Sequence, residues 1–243
     1  MTSIAFQLYS LHAVDDPLAS VIDRVGTTVF EGIEFAGLDD ADPAGLAGAV
    51  EAAGLAPAGA HVGLDEIERD PDAVAETYRT LGCEDVVVPW LDPEHFASAA
   101  AVETAGERLT AAADALADRG LRLHYHNHDQ EFVDLDGRPA LTHLIEATDG
   151  VGVELDLGWA GAAGYDPLAY LERHAERVDI VHLKDYDAAA GEPVVCGEGD
   201  LDLDATVDAV RDHGVDWLVY EAEEAPDSYD TLAHADRIVT EHW

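Results

Sequence analysis

Short runs rich in β-branched and apolar residues alternate with helix-forming stretches along all 243 residues of the chain. Eight such runs predict strands at residues 4–9, 32–35, 56–61, 85–89, 121–126, 151–156, 178–183 and 217–221. Eight strand and helix units favour a closed parallel barrel, with an open doubly wound sheet as the alternative. The length is close to the ~250 residues typical of such a barrel. We therefore predict one α/β domain over residues 1–243 with the (β/α)8 TIM-barrel fold.

Prolines and glycines mark where the helices between these strands begin and end. An aspartate can cap the first turn of a helix, and proline fits the first helical position because its missing N–H is not needed there. Helix starts are predicted at Asp16-Pro17, Asp42-Pro43, Asp70-Pro71, Asp92-Pro93 and Asp166-Pro167. Glycine readily adopts the left-handed conformation that closes a helix. Helix ends are predicted at Gly54, Gly82, Gly120, Gly150 and Gly214.

The charge of the chain is strongly negative, with 52 acidic and 12 basic residues and a formal net charge of −40. A hydrophobic content of 48% nevertheless leaves enough apolar residues for a core, which argues against disorder. The composition resembles that of halophile proteins, since at about 1 M salt the Debye length is only ~3 Å and self-repulsion is screened. The charge also argues against a nucleic-acid partner, although the same screening weakens that argument.

The sequence contains no apolar run of membrane-spanning length, and its start lacks the pattern of a signal peptide. We therefore expect a cytoplasmic protein without a membrane partner. Cys83 and Cys196 lie far apart and form no CxxC motif, so we interpret them as free thiols. Whether the chain forms a homo-oligomer stays open.

Polar residues on one parity of the predicted strands should point into the barrel lumen, because the other parity packs on the helices. The active sites of such barrels lie at the carboxyl ends of the strands. The residues assigned to the lumen are Gln7, Tyr9, Glu34, His61, Arg122, His124, His126, Glu154, Asp156, His182 and Lys184.

Four polar residues follow or end neighbouring strands of the second half, namely Glu131, Asp156, His182 and Glu221. Three carboxylates brought together in a pocket repel one another unless a cation relieves them. One imidazole with three carboxylates suits Mn²⁺ or Mg²⁺, with Co²⁺ or Zn²⁺ as substitutes. We therefore predict one divalent metal. Each of these residues also has an alternative without a metal. In so acidic a chain, Glu131 or Glu221 could lie near a strand end by chance. Asp156 could cap the following turn, and His182 could be a hydrogen-bonded core histidine.

Lys184 is the only lysine in the chain and shares the inward parity of His182. An ammonium group beside a metal can hold a substrate oxygen or stabilise a developing oxyanion, so Lys184 is predicted to bind substrate and to assist catalysis. The alternative is an ion pair with Asp185. Further predicted substrate contacts are His61, Trp90, His126, Asn127 and Trp159, against the alternatives of a histidine network and aromatic packing.

Motifs spread over most of the chain resemble those of the xylose-isomerase-like TIM barrels, a family of sugar isomerases and epimerases. The matching segments are QLYSL, GIEFAG, AHVG, HNHDQEF, ELDLGWA, HLKD, GEGDLD and VYEAE. In related ketose 3-epimerases a Glu-Asp-His-Glu set binds one metal, and the two glutamates carry the proton. The resemblance implies that Glu131 and Glu221 are ligands with acid and base roles, whereas Asp156 and His182 are ligands only.

The resemblance also implies a carbohydrate substrate and proton transfer through an enediolate. Isomerisation, epimerisation and dehydration of the inosose dehydratase kind all start from that intermediate. Apurinic endonucleases resemble the chain at the same four positions but need further ligands for three zinc ions. Trp159 stands where such an enzyme has a histidine, and no Asp-x-His follows the seventh strand. A non-catalytic sugar-binding barrel is a third alternative.

Overall fold

The computed structural model describes residues 1–38, 40–223 and 228–243. Eight parallel strands form one sheet in the order β3-β2-β1-β8-β7-β6-β5-β4. Their bounds are β1 Ser3–Gln7, β2 Gly32–Phe35, β3 Ala56–Ala60, β4 Asp85–Val88, β5 Arg122–His126, β6 Val151–Asp156, β7 Val178–Leu183 and β8 Trp217–Tyr220. The two end strands meet through a parallel bridge between His61 and Val87, so the sheet curls into a nearly closed barrel. This confirms the predicted fold.

The predicted strand bounds match the structure for β2, β6 and β7 and differ by one or two residues elsewhere. The largest difference concerns β1, which ends at Gln7 and not at Tyr9. The Gln7 side chain accepts a hydrogen bond from the backbone N–H of Tyr9, and a 3₁₀ helix follows over Leu8–Leu11. Tyr9 therefore lies at the barrel mouth, 43% exposed, and not in the lumen.

Ten helices of the described chain surround the barrel. They are α1 Leu18–Val25, α2 Pro43–Ala53, α3 Leu64–Arg69, α4 Pro71–Leu81, α5 Ala99–Ala117, α6 Ala140–Ala147, α7 Leu157–Ala162, α8 Pro167–His174, α9 Leu203–His213 and α10 Tyr229–His242. Short 3₁₀ helices also occur at Pro93–Phe96, Gln130–Phe132 and Ala175–Arg177. Two antiparallel ribbons at the mouth pair 134–135 with 138–139 and 185–187 with 192–194. No helix in the described ranges is long and apolar enough to cross a membrane.

The predicted helix starts and ends are met in most places. Asp42, Asp70 and Asp166 each accept hydrogen bonds from backbone N–H groups of the first turn, as capping requires. Pro17 occupies the N-cap position of α1, so that helix begins one residue later than predicted. Asp92-Pro93 opens a 3₁₀ helix and not an α-helix.

Three of the glycines, Gly54, Gly82 and Gly214, are left-handed C-caps directly after a helix. Gly120 and Gly150 also have positive φ, but they do not directly follow a helix, since α5 ends at Ala117 and α6 ends at Ala147. Cys83 and Cys196 are buried free thiols, as predicted.

The lumen is built in three layers along the barrel axis. Its middle layer is a small apolar cluster, separate from the main core between sheet and helices, made of Ala5, Ala58, Val87, Ile180 and Val219. Charged side chains lie on both sides of this layer. Those at the amino ends of the strands, including Asp85 and His124, form the lower cluster, and those at the carboxyl ends form the upper one.

Candidate active site

Four side chains at the carboxyl ends of neighbouring strands converge at the top of the lumen. His126, Asp156, His182 and Glu221 each offer one ligand atom, and these atoms all lie within 4.8 Å of one another. All four residues are buried. His182 Nδ1 lies 3.0 Å from Glu221 Oε2 and 3.9 Å from Asp156 Oδ2. This set, called the upper ligand set below, has the donors and the spacing that a metal ion requires.

Glu131 was predicted as a member of this set, but the structure places it elsewhere. It lies in the 3₁₀ helix after β5, where its Oε1 accepts a hydrogen bond from the Tyr125 hydroxyl at 2.5 Å and its Oε2 accepts one from the backbone N–H of His128 at 2.8 Å. Burial raises the pKa of Glu131 to about 7. Both oxygens are thus occupied in holding the loop after β5, and His126 stands in the position expected for Glu131.

Glu154 lies one layer below the upper ligand set and contacts three imidazoles with a single oxygen. Its Oε1 is 2.9 Å from His61 Nε2, 2.9 Å from His126 Nδ1 and 3.0 Å from His182 Nε2. A carboxylate only accepts hydrogen bonds, so the ring nitrogens facing it carry the protons. The other nitrogens are His126 Nε2 and His182 Nδ1, and His182 Nδ1 lies 3.0 Å from Glu221 Oε2, so it can act as a ligand only where a cation replaces the proton between them. Glu154 therefore fixes the orientation of both ligand histidines.

Glu34 shares this deeper position and contacts the same histidine. Its Oε2 accepts a hydrogen bond from Gln7 Nε2 at 2.6 Å and lies 2.8 Å from His182 Nε2. A Cβ at position 59 would lie 2.8 Å from Glu34 Oε1, so Gly59 makes room for this carboxylate. Within the described chain, Glu34 Oε1, Glu154 Oε2 and Asp156 Oδ2 are buried without a hydrogen bond, although Asp156 Oδ2 lies 3.2 Å from the ammonium nitrogen of Lys184. Buried carboxylate oxygens that lack hydrogen bonds leave room for a water molecule or a cation as partner.

The buried acids and bases at this level shift one another's pKa values. Burial and the charge of Glu154 raise the pKa of Glu34 to about 7. Burial acts in the same direction on Glu154, but His182 and His61 outweigh it and hold the pKa of Glu154 well below its usual value. Burial lowers the pKa of His182, and the carboxylates around it reverse this and hold it well above the usual value.

Lys184 is fully buried beside the upper ligand set. Its ammonium nitrogen lies 3.2 Å from Asp156 Oδ2, 2.8 Å from Glu221 Oε2 and 2.5 Å from Glu223 Oε1. An ammonium has three N–H donors, and three carboxylates occupy them. The geometry therefore does not match the expectation that Lys184 holds a substrate oxygen, and the alternative partner Asp185 instead accepts hydrogen bonds from the loop at 197–201.

A cavity of about 500 Å³ opens above these groups. The lining residues are Tyr9, Ala36, His61, Pro89, Trp90, His126, His128, Asp129, Trp159, Glu221 and Glu223. Trp90, which is 45% exposed, and Trp159 both contact His128, with ring centroids 4.7 Å and 5.5 Å from the imidazole centroid. The predicted contacts His61, Trp90, His126 and Trp159 therefore face one space together with the ligand Glu221.

Two polar atoms in the wall of this cavity have no partner among the described residues, His128 Nδ1 and Trp159 Nε1. Burial lowers the pKa of His128 to about 2, so its ring is neutral and one nitrogen is an acceptor. The indole N–H of Trp159 is a donor. Both atoms are buried in the wall, so they do not themselves face the cavity.

Asn127 was predicted to bind a ligand, and its hydrogen bonds indicate a different role. Its side-chain oxygen accepts from the backbone N–H of Asp156 at 3.0 Å, and its side-chain nitrogen donates to the backbone carbonyl of Asp156 at 3.2 Å. Asn127 is fully buried. It therefore fixes the end of β6, and with it the ligand Asp156, and does not line the cavity.

Several residues of the site were missed or undervalued by the sequence interpretation. Glu34 and Glu154 were assigned to the lumen by strand parity but not to the site. Glu223 and Asp129 line the cavity and were not predicted. Glu223 carries a usable signal, because it lies two residues after Glu221. Asp129 lies in a loop whose direction strand parity does not predict.

Comparison with known proteins is consistent with this architecture. The model of the family described as xylose isomerase-like TIM barrel matches residues 30–238. The rhizopine catabolism protein MocC of Rhizobium meliloti is 32% identical over 155 residues, which cover 55% of this chain and 46% of MocC. An inosose dehydratase of Lacticaseibacillus casei is 25% identical over 142 residues, which cover 49% of this chain and 48% of the dehydratase. The chain thus spans about half the length of these relatives.

A solved structure extends the likeness over the whole fold. The sugar phosphate isomerase/epimerase from Parabacteroides distasonis superposes with a TM-score of 0.84 at 20% identity, covering 99% of this chain and 97% of that one. At this identity the likeness concerns the fold alone. Since the family model covers residues 30–238, the chain belongs to the family described as xylose isomerase-like TIM barrel.

Proposed function

We propose that this chain is a metal-dependent enzyme that moves a proton next to the carbonyl group of a polyhydroxylated substrate, as a sugar isomerase or epimerase. The observation that carries the proposal is the position of the upper ligand set at the floor of the cavity. Glu221 belongs to both, since it offers a ligand atom and lines the space that a substrate would fill.

The donors of the upper ligand set fit a divalent cation. Two imidazoles and two carboxylates offer ligand atoms that lie within 4.8 Å of one another, and all four residues are buried. We assign His126, Asp156, His182 and Glu221 as the ligands, for Mn²⁺ or Mg²⁺ with Co²⁺ or Zn²⁺ as substitutes. A bound cation would polarise the substrate carbonyl and stabilise negative charge on its oxygen.

The side chains of the cavity account for the remaining steps. Burial raises the pKa of Glu221, but Lys184 and His182 outweigh this and hold it well below the usual value, so Glu221 is ionised and able to accept a proton from carbon. The neutral His128 accepts a hydrogen bond from a substrate hydroxyl. Trp90 and Trp159 pack against the ring of the substrate and exclude water. Glu131 supports the loop that carries His128 and is not a proton carrier in this scheme.

Loss of the proton leaves an enediolate, and the next step decides the reaction. Return of the proton by Glu221 to the neighbouring carbon gives an isomerase, whereas an epimerase requires a second acid that delivers a different proton to the opposite face. Loss of a β-hydroxyl gives a dehydratase, and the similarity to inosose dehydratases favours this as the second candidate.

The proposal is tested by metal content and by exchange of substrate protons with solvent. The chain should bind one divalent metal and catalyse deuterium incorporation next to the carbonyl of at least one ketose or inosose. Asp156→Asn should abolish both, whereas the matched variant Asp179→Asn, in the lower cluster, should retain both. A metal-loaded protein that exchanges no proton in any member of the panel would refute the proposal. About three zinc ions per chain would instead indicate an endonuclease-like site.

A further inference from the structure

We infer that the cavity accepts an uncharged polyhydroxylated ketone and rejects its phosphorylated counterpart. This inference rests on the proposed function and specifies the class of its substrate. It follows from the side chains that line the cavity, which include three carboxylates and, among the described residues, no arginine or lysine.

No arginine or lysine is among the described residues that line the cavity. The charged lining residues are Asp129, Glu221 and Glu223. Position 39 and positions 224–227, which lie outside the described chain, add no cation either, because their sequence is Asp and Glu-Ala-Pro-Asp. Proteins bind phosphate groups with arginine, lysine or clustered backbone N–H groups. The side chains that would recognise a phosphate are therefore missing from this part of the molecule.

Lys184 does not fill this role, although it is the only lysine and lies near the cavity floor. Its side chain is fully buried, and Asp156, Glu221 and Glu223 surround its nitrogen. To reach a phosphate, the ammonium would have to give up partners that neutralise it. Its positive charge is thus already used to hold the carboxylates together.

The negative surplus persists when a divalent cation is counted. Glu34 lies deeper, 2.8 Å from His182 Nε2, and is left out of the count. Four carboxylates still converge at the top of the lumen, those of Glu154, Asp156, Glu221 and Glu223. Lys184 and a divalent cation would supply three positive charges, and Asp129 at the mouth adds one more negative charge. A phosphate dianion would therefore enter a region whose charge has the same sign, where low dielectric strengthens repulsion.

The remaining walls suit a neutral ligand. Their side chains are mainly rings, those of Tyr9, Trp90, His128 and Trp159. Trp90 presents an exposed aromatic face at the mouth. A pocket of aromatic walls with a few uncharged polar atoms recognises ring carbons and hydroxyls.

The test compares a ketose or inosose with the phosphate monoester of the same compound, using deuterium exchange by the metal-loaded protein. At an ionic strength of about 0.15 M we expect kcat/KM for the monoester to be at least about tenfold lower. This ratio should shrink as salt rises to about 1 M, because the Debye length falls from ~8 Å to ~3 Å. Inorganic phosphate should not compete with the neutral substrate.

Two rim variants locate the cause. Asp129→Asn and Glu223→Gln should each reduce the preference for the neutral compound by removing a negative charge, whereas Asp212→Asn, an exposed residue of α9, should leave the preference unchanged. Equal or better use of the monoester, or competition by inorganic phosphate, overturns the inference while the proposed function stands. A preference that neither salt nor the rim variants change shows a steric cause and also overturns it. No exchange with either compound removes the proposed function and this inference with it.

Discussion

The lower and upper ends of the barrel lumen both contain buried carboxylates, but at the lower end both oxygens of Asp85 contact the protein's own basic side chains. Asp85 accepts hydrogen bonds from His124 Nε2 at 2.8 Å and from two nitrogens of Arg122 at 2.7 Å and 2.8 Å. At the upper end, Glu34 and Glu154 each keep one buried oxygen without a partner in the described structure.

This difference separates a structural cluster from a functional one. A buried charge costs free energy unless it is paired and hydrogen-bonded. Asp85 of the lower cluster meets that requirement, although His124 Nδ1 beside it makes no hydrogen bond within the described chain. The upper cluster does not meet it without a ligand. The apolar layer of Ala5, Ala58, Val87, Ile180 and Val219 lies between them, so each cluster can be altered separately.

The largest expected effect comes from Asp156→Asn in the upper ligand set. The amide retains the acceptor for the backbone N–H of Trp159 at 2.7 Å but removes the charge that a metal needs. Loss of a direct ligand should reduce proton exchange by more than the roughly 100-fold that follows from loss of an outer partner. The measurement is deuterium exchange together with metal content.

The same change of residue type at the lower end provides the control, because Asp85→Asn removes a charge of equal size outside the cavity. Equal loss of exchange in the two variants would show that the upper cluster has no special role. Unchanged metal content in Asp156→Asn would remove that residue from the ligand set.

A smaller effect is expected from Glu154→Gln, which acts through the histidines. An amide is a weaker acceptor than a carboxylate, so His126 and His182 become less basic and less firmly held in one tautomer. Metal affinity should fall by roughly 10- to 100-fold. Competition titration with a chelating dye measures the affinity, and ¹⁵N chemical shifts of the two imidazoles report the tautomers. Unaltered shifts and affinity would contradict the positioning role of Glu154.

The barrel could be predicted from the sequence because each strand is short, apolar and bounded by local signals. Asp42, Asp70, Gly54 and Gly82 act through contacts within a few residues, so their roles follow from the sequence alone. Strand parity similarly assigned Asp156 and His182 to the lumen, where the structure has them.

The parts that were not predictable depend on contacts between distant segments. Glu131 lies beyond the end of β5, where the chain turns and directs the side chain to Tyr125 and not to the lumen. The partners of Lys184 come from other strands, and no local pattern shows that Asp156 and Glu223 would both reach it. Local spacing therefore predicts on which face of the sheet a strand residue lies, but it does not predict which residues of other strands form ion pairs with it.

In the lower cluster, Asp85→Asn should reduce stability with little change in activity. The variant weakens the charged hydrogen bonds to Arg122 and His124, and we expect a loss of roughly 2 kcal/mol in the free energy of unfolding. Denaturant titration of the wild type and the variant at constant salt measures this difference. A matched variant, Asp212→Asn on the outer surface, should be close to neutral. A loss of exchange activity in Asp85→Asn would mean that the apolar layer does not separate the two clusters.

The smallest effect concerns how the contribution of Asp85 depends on pH. Burial raises its pKa, but the hydrogen bonds and charges of His124 and Arg122 outweigh burial, so the pKa of Asp85 is lowered in the folded chain. Asp179 lies 3.7 Å from His124, and Asp216 lies 3.5 Å from Arg122, so these carboxylates face the same partners.

A lowered folded pKa means that the unfolded chain binds the proton more readily. The stabilisation is therefore complete above the unfolded value of about 3.9 and is lost as the pH falls through the lower folded value. The difference in unfolding free energy between wild type and Asp85→Asn should be constant from about pH 7 to pH 5 and should shrink below about pH 4. Taking the difference removes most of the titration of the other acids. If the difference in unfolding free energy stays constant below about pH 4, His124 and Arg122 do not stabilise the ionised form of Asp85. The contrast between the two ends of the lumen would then rest on the observed distances alone.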